Sequence, residues 1–365
     1  MTRALRLAQR GLGRVEPNPM VGAVIVKNGT VLAEGWHRRF GGPHAEVEAL
    51  RKCTRPPRGA TVYTTLEPCC HFGKTPPCAD ALIAAGVRRV VAALPDPSPQ
   101  VNGQGFARLR AAGIRVDVGL CAAEAAELAA PFLTRVRCGR PYVILKWAQS
   151  LDGKLATSGR QSRWISGEVS RRDVHRLRAV CDAVLVGIQT VLADDPRLTA
   201  RDVAVRRIAT RVVLDTRLRM PEQSCLVRSA ATTPTLVFSS RTAVESAPRR
   251  VGRLARHGVQ VEAARVRGGR IDLNDALHRL AAKGMSRVLV EGGGGVLTSF
   301  LDAGLADEAL VFVAPRLIGG ADAPAPWSGR GLADVARDTG ARVVSIRRRG
   351  PDVCFRLRLS PPLIG

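Results

Sequence analysis

Two α/β layered domains in tandem are the architecture this sequence predicts, and three observations predict it. The chain has 365 residues, room for two cores of ordinary size. Apolar runs alternate with amphipathic stretches through both halves, the pattern of helices laid over a largely parallel sheet. Between the halves, "RCGRP" follows a helical stretch at about 122–137 and precedes a fresh apolar run, "YVILKWAQS". The boundary is placed near residue 140, dividing the chain into 1–140 and 141–365.

The elements follow in order. "VGAVIVKNGTVLAEGWH" is two apolar runs joined by Asn28-Gly29, a hairpin signal because both turn positions must tolerate positive φ. "HAEVEALRKC" then reads as helix, "ATVYTTLEP" as strand, "PPCADALIAAG" as helix, "RRVVAALPDP" as strand, "GFARLRAAG" as helix and "IRVDVGL" as strand. The second half repeats the alternation with "DAVLVGI", "TRVVLDT" and "TLVFSS", helix "DLNDALHRLAAKG", strand "SRVLVEGG", helix "VLTSFLDAGL" and strand "EALVFVAP". "VRSAATTPT" and "RTAVESAPRR" read as surface loops, and no short internal repeat is present.

Composition narrows the function classes. With 45% hydrophobic and 24% charged residues and no biased tract, the chain reads as globular. No apolar run approaches the roughly 20 residues of a membrane span, and the start lacks the apolar core and cleavage site of a secretory signal, so a cytoplasmic location is expected. Nine cysteines, an odd number in a long chain, argue for reduced thiols rather than a disulfide framework. The formal charge of +25 fits anionic small molecules as well as nucleic acid, but at 4% aromatic residues the stacking platforms of single-strand binders are scarce.

The densest chemistry lies in "HAEVEAL" at 44–50 and "EPCCHFGKTPPC" at 67–78. A hydrolytic zinc takes about three protein ligands and keeps a fourth position for water. His44, Cys69 and Cys78 supply three donors of the right type, and Glu46 supplies the base that such a water needs. Positions i and i+2 point in different directions on a helix, so both reach one metal only from its first turn, and Pro43 agrees with a helix start there. Cys78 opens a helix, where the macrodipole favours a thiolate. Cys70 is read as packing, and Cys53 and the later cysteines as buried small hydrophobes. His-x-Glu followed by Pro-Cys and a further Cys is the signature of zinc-dependent base deaminases, in which the Glu is not a ligand. A purely structural zinc site would close the tetrahedron with a fourth ligand and would not need Glu46.

Here eight residues, 70–77, separate the two cysteines, and this insertion together with "EPNPMVGAVIV", "EGWHRRFGGPHAEVEAL", "TLEPCCHFGKTPPCADALIAAGV" and "PDPSPQVNGQGFARLRAAGI" resembles the bifunctional deaminase–reductase family of riboflavin biosynthesis. The resemblance implies a cytidine-deaminase-like αβα layered domain followed by a dihydrofolate-reductase-like α/β domain, one zinc ion per deaminase site, and NADPH. It implies that a phosphorylated pyrimidine ribotide is deaminated and its ribosyl side chain then reduced to ribityl. It also places Asn18 and His37 against base and ribose, and His71, Lys74 and Asp96 near the ribose phosphate. A homo-oligomer is expected by the same resemblance.

In the second half, strand "RVLV", Glu291 and glycines 292–295 feed a helix, a turn suited to phosphate although it is not GxGxxG. "PYVILKWAQSLDGKLATSGRQSRWISG", "HRLRAVCDAVLVGIQTVLADDPRLTAR" and "VLVEGGGGVLTSFLDAGLADEALVFVAPRLIGG" resemble the same family's reductase domain. By that resemblance Ala148, Trp164, Thr190, Asp194, Gly293, Gly294, Gly295, Val296, Leu297, Thr298 and Ser299 line the cofactor, and Ser162, Arg178, Leu198, Arg201 and Glu291 hold the substrate. Ser239, Ser240 or Arg241 is the expected contact of the adenosine 2′-phosphate, and Lys154 a candidate proton donor.

Overall fold

Asn28 and Gly29 both take positive φ (50° and 76°) and turn β1 (Gly22–Lys27) back onto β2 (Thr30–Trp36), the hairpin expected from their side chains. The computed structural model describes residues 1–329, 331, 334 and 340–359. It divides the chain into two compact units, one of Met1–Gly139 and one that begins at Arg140. The last six residues assigned to the second domain, 360–365, lie outside the described residues.

The first unit runs α1 (Thr2–Ala8), β1, β2, α2 (Ala45–Arg51), β3 (Thr61–Thr64), α3 (Cys78–Ala84), β4 (Arg89–Ala92), α4 (Gln104–Ala111), β5 (Arg115–Val118) and α5 (Ala122–Cys138). Its sheet has the order β2-β1-β3-β4-β5, antiparallel at the hairpin and at β1–β3 and parallel from β3 to β5. Side chains alternate across β1, so Ala23 and Ile25 meet Ala45 and Ala49 of α2, Leu82 of α3 and Leu109 of α4, while Val24 meets Ala4 and Leu7 of α1. On that second side Leu5 of α1 and Ala126 and Leu133 of α5 complete an αβα sandwich. α2 lies directly on β2 because Gly35 has no side chain; a Cβ there would stand 2.2 Å from the Ala45 carbonyl oxygen. That close approach brings the start of α2 to the sheet.

The second unit runs β6 (Tyr142–Ser150), α6 (Glu168–Arg178), β7 (Ala183–Gly187), α7 (Ile188–Asp194), β8 (Thr210–Leu214), α8 (Cys225–Arg228), β9 (Thr235–Ser240), α9 (Arg241–Ser246), α10 (Pro248–Arg256) and β10 (Val259–Ala264). It continues with β11 (Val266–Arg267), β12 (Arg270–Ile271), α11 (Leu273–Ala282), β13 (Arg287–Glu291), α12 (Gly294–Asp302), β14 (Glu308–Ala314), β15 (Arg342–Arg349) and β16 (Asp352–Arg358). Its sheet, β10-β9-β8-β7-β13-β6-β14-β16-β15, is parallel from β10 to β14 and antiparallel through β16 and β15. The runs "AVLV", "VVL" and "VLV" are apolar without alternation because both faces of these parallel strands are covered. Leu277, Leu280, Leu297 and Phe300 of α11 and α12 pack on Val143, Leu185, Val212 and Val288.

Two expected loops are structured. "RTAVESAPRR" folds as α9 and the start of α10, because the Ser240 hydroxyl accepts from Ala243 N–H (3.1 Å) and Pro248 occupies the first position of α10. "VRSAATTPT" includes buried Val227, Ala230 and Thr235, since it wraps the buried Arg211 guanidinium, which donates to Ser229 Oγ (2.7 Å) and Thr233 O (2.8 Å). All nine cysteines are free, but of those read as buried hydrophobes only Cys181 and Cys354 are buried; Cys138 is exposed, and Cys53, Cys121 and Cys225 are half-buried, as is Cys70. Cys53, Cys121, Cys138 and Cys225 lie at or close to helix ends.

Candidate functional sites

The first site is built where two helices begin. His44 precedes α2 with extended backbone (φ −74°, ψ 166°), which lets its ring leave the helix direction while Glu46 points inward from the first turn. Its Nδ1 lies 3.4 Å from Cys69 Sγ and 3.3 Å from Cys78 Sγ, and the three donor atoms all fall within 4.8 Å of one another. Ligands of a tetrahedral zinc stand roughly 3.5 Å apart, so the set fits that ion. Cys78 opens α3 and its N–H donates to Cys69 Sγ (3.3 Å), while Ala79 N–H holds the Cys69 carbonyl (3.1 Å). The Cys78 thiol, with His44 and the Cys78 N–H adding to it, draws the Cys69 thiol down to about 4, and the same pairing of sulfurs pushes Cys78 up.

Glu46 is 2% exposed and accepts from Thr64 Oγ1 (2.9 Å) at the end of β3. Burial pushes its carboxyl up, the direction a proton shuttle requires. Around it, His37 Nδ1 contacts Pro43 O (3.0 Å) and its Nε2 contacts Asn18 Nδ2 (3.2 Å), a pattern satisfied by the neutral ring that its burial favours. The His37 and His44 rings meet edge-on at 5.3 Å. The insertion 70–77 lies against the segment before α2, with Lys74 Nζ 4.0 Å over the Phe40 ring. His71 is half-buried, and its Nδ1 has no hydrogen-bond partner among the described residues. Asp96 is buried and is raised to about 6 by desolvation, with Glu67 and Cys69 adding to the shift and His71 opposing it.

Sequence reasoning missed Glu67. Its carboxylate accepts from Asp96 N–H and Gly103 N–H through Oε2 and from Phe106 N–H through Oε1, each at 3.1 Å. It thereby ties the cysteine segment to the Asp96 loop and to the start of α4. The available signal was an acid directly before Pro-Cys, too short to stand out.

The second site is a cavity of about 1730 Å³ across the carboxyl ends of four neighbouring parallel strands, β6, β13, β7 and β8, where open α/β sheets bind ligands. Of the residues expected there, Ala148, Trp164, Thr190, Asp194, Gly293 to Val296, Ser299, Ser162, Arg178, Leu198, Arg201 and Glu291 line it, as does Lys154. Leu297 and Thr298 do not: Leu297 is packed in the core, and Thr298 Oγ1 accepts from Ser328 N–H (3.0 Å). The helical turn of α12 rotates these two residues away from the cavity. Ser239, Ser240 and Arg241 are also apart from it, because Ser239 Oγ donates to Asp215 O (2.8 Å), Ser240 caps α9, and Arg241 faces Glu245.

The glycine turn leaves room for phosphate. A Cβ at Gly293 or Gly295 would meet nothing within 4 Å, whereas at Gly294 it would stand 2.4 Å from the Ala325 carbonyl oxygen. Open backbone at the start of a nine-residue helix suits the pyrophosphate of a dinucleotide. Arg178 grips Glu291 through Nε (2.6 Å) and Nη2 (2.8 Å) and donates from Nη1 to Thr199 O (3.1 Å). Burial alone would raise Glu291, but the Arg178 charge holds it below the usual carboxylate range. Arg201 is more open, reaching Thr199 Oγ1 at 3.3 Å. Lys146, not anticipated, is the single charge in the strand "YVILKWAQS"; it pairs in register with Glu291, lines the cavity, and is lowered by burial.

The profile of the cytidine and deoxycytidylate deaminase zinc-binding region matches residues 1–94, and that of the RibD C-terminal domain matches 141–355. The riboflavin biosynthesis protein RibD of Aquifex aeolicus is 45% identical over 319 residues, covering 87% of each chain. The chain belongs to the RibD family. A solved RibD structure from Acinetobacter baumannii superposes with a TM-score of 0.86 at 38% identity, covering 99% of this chain and 98% of that one. A Thermotoga maritima structure, described as a diaminohydroxyphosphoribosylaminopyrimidine deaminase/5-amino-6-(5-phosphoribosylamino)uracil reductase, superposes with a TM-score of 0.85 at 38% identity, covering 99% and 97%.

As a RibD family member the chain is a bifunctional enzyme of riboflavin biosynthesis, with a zinc-dependent deaminase domain and a reductase domain. Its cofactors are zinc and the NADPH that a RibD reductase domain implies. Among the described residues no helix is long and apolar enough to cross a membrane.

Proposed function

We propose that residues 1–140 deaminate 2,5-diamino-6-(5-phosphoribosylamino)pyrimidin-4-one and that residues 141–365 reduce the ribosyl side chain of the resulting aminouracil to ribityl. The observation that carries the reading is a buried carboxyl, Glu46, held by Thr64 beside three converging His and Cys donors. His44, Cys69 and Cys78 hold the zinc. When bound, the ion supplies Lewis-acid activation of water. Glu46 takes the proton of the attacking water and passes it to the departing amino group, so that ammonia leaves and the ring becomes a uracil. Asn18 and the neutral His37 hold base and ribose; His71, Lys74 and Asp96 surround the ribose phosphate.

In the second step NADPH supplies the hydride. Gly293 to Val296 and Ser299 receive its phosphates, with Ala148, Trp164, Thr190 and Asp194 along the cavity. Arg201 meets the substrate phosphate, and Glu291 orients Arg178 beside it, leaving two of that guanidinium's five donors for the ligand. Ser162 and Leu198 complete the substrate wall. The enzyme works in the cytoplasm and handles no nucleic acid. Its homo-oligomer forms through the second unit, where the edge strand β15 exposes Val343, Val344 and Ile346.

Mass spectrometry of the products with and without NADPH tests both steps. Deamination in both reactions with reduction only in the presence of NADPH supports the assignment. An unchanged ribotide in a folded, zinc-loaded sample rejects it.

A further inference from the structure

α6 brings Arg171, His175 and Arg178 to the cavity wall, spaced i, i+4 and i+7 so that they share one face. The helix has little apolar surface with which to fix that face. Of its eleven residues only Ser170 and Val174 are buried, and Val174 packs on Phe312 of β14 and Cys354 of β16. Its N-cap is Gly167, which has no side chain to accept the first N–H groups.

An acceptor comes instead from the far end of the unit's sequence. Asp352, the first residue of β16, is 1% exposed, and its Oδ2 accepts Gly167 N–H (2.7 Å) and the Ser170 hydroxyl (2.5 Å). A carboxylate at a helix start also meets the positive end of the helix dipole. The fit is close: a Cβ at Gly167 would stand 3.3 Å from the Pro351 ring and 3.5 Å from Asp352 Oδ2. Further along α6, Asp173 pairs with Arg349 of β15, so the same hairpin grips the helix twice.

Both segments that leave this anchor line the cavity. Before Gly167 runs the arm that holds Ser162 and Trp164. Arg171 closes this arm onto α6, donating to Ser166 O (2.6 Å) with its guanidinium 4.6 Å from the Trp164 ring centre. After Gly167 the helix runs to Arg178, which must arrive in register to meet both Glu291 and Thr199 O. Asp352 itself is not part of the cavity wall, so it acts through these groups.

We infer that Asp352 is a positioning residue for the reductase step: its carboxylate sets the start of α6, and with it where Trp164 and Arg178 stand against cofactor and substrate. The inference rests on the reductase reading above.

The test uses the full-length protein and its Asp352→Ala, Asp352→Asn and Ser170→Ala variants. It measures NADPH-dependent reduction of the aminouracil ribotide, calorimetric NADPH affinity and urea unfolding. A misplacement of roughly 1 Å can cost a reaction about 100-fold, so Asp352→Ala is expected to lower kcat/KM for reduction by about 10- to 100-fold, with a higher KM and a weaker NADPH complex. Deamination should stay within about twofold, since its residues lie in the first unit. Asp352→Asn keeps an oxygen in place of Oδ2 and should recover to within about fivefold of the unaltered protein, and Ser170→Ala, which loses one hydrogen bond, should fall about fivefold. Should Asp352→Ala fail to fold, Ser170→Ala decides. Unchanged reduction in the alanine variants, a loss confined to the urea midpoint, or no recovery in Asp352→Asn overturns the inference and leaves the reductase reading intact. Failure of the unaltered protein to reduce the ribotide with NADPH overturns both.

Discussion

The two sites solve opposite problems. The deaminase site gathers its donors from the starts of α2 and α3 and the segment after β3, all within residues 44–78, and buries its acid completely. The reductase cavity draws on strands and loops from residue 146 to 328 and is lined with arginines. Coordinating an ion and moving one proton need few atoms at short range. Holding a dinucleotide against a sugar phosphate needs a long surface with charge distributed along it. Their buried carboxyls differ accordingly: Asp96 is raised because burial dominates, whereas Glu291 is lowered because Arg178 overcomes burial.

Variants can break this contrast, the largest effect first. Glu46→Gln should lower deamination about 10³-fold with zinc content and reduction of the preformed aminouracil unchanged; steady-state kinetics with metal analysis will show it. Comparable deamination in that variant would remove Glu46 from the mechanism. Glu291→Gln strands Arg178 in a buried position and should destabilise the second unit by about 4 kcal/mol, read from urea unfolding, while the first unit is unaffected. In the parent protein the Glu291 contribution is complete above about pH 4.5 and is lost as pH falls through its lower folded value.

Asp96 should behave in the opposite sense. Its folded value, about 6, lies above the ordinary 3.8, so its contribution is present at low pH and is lost as pH rises through about 6. Asp96→Asn should remove that slope, worth at most about 3 kcal/mol, from the urea midpoint of the first unit. The smallest effect is expected of Thr64→Val, which deletes one hydrogen bond to Glu46: about 1 kcal/mol, or about fivefold in kcat for deamination, with KM unchanged.

Residue spacing made the first site legible. His44 and Glu46 two apart at a helix start, then Cys69 and Cys78, carry their chemistry in residue type, although the fold must bring the two segments together across 25 and 34 residues. The α/β alternation was legible for the same reason, because apolar periodicity follows the burial of each element. Glu67 was not, since its three partners, 29, 36 and 39 residues away, are backbone N–H groups that no residue type announces. Leu297 and Thr298 were expected at the cofactor by resemblance alone, and the turn of α12 directs them away from the cavity.

By itself, then, the sequence determined the tandem α/β layers and the glycine turn and pointed to the candidate zinc donors and the acid near them, because residue type and spacing carry those signals. Only the tertiary structure decided which arginines of a chain with charge +25 face a ligand. Arg211 is buried in a cage of backbone and hydroxyl oxygens, Arg178 is clamped by Glu291, and Arg217 and Arg219 stand open at the cavity wall. The guanidinium group is the same in each; what differs is the strand order, which brings β8 beside β7 and decides what each side chain meets.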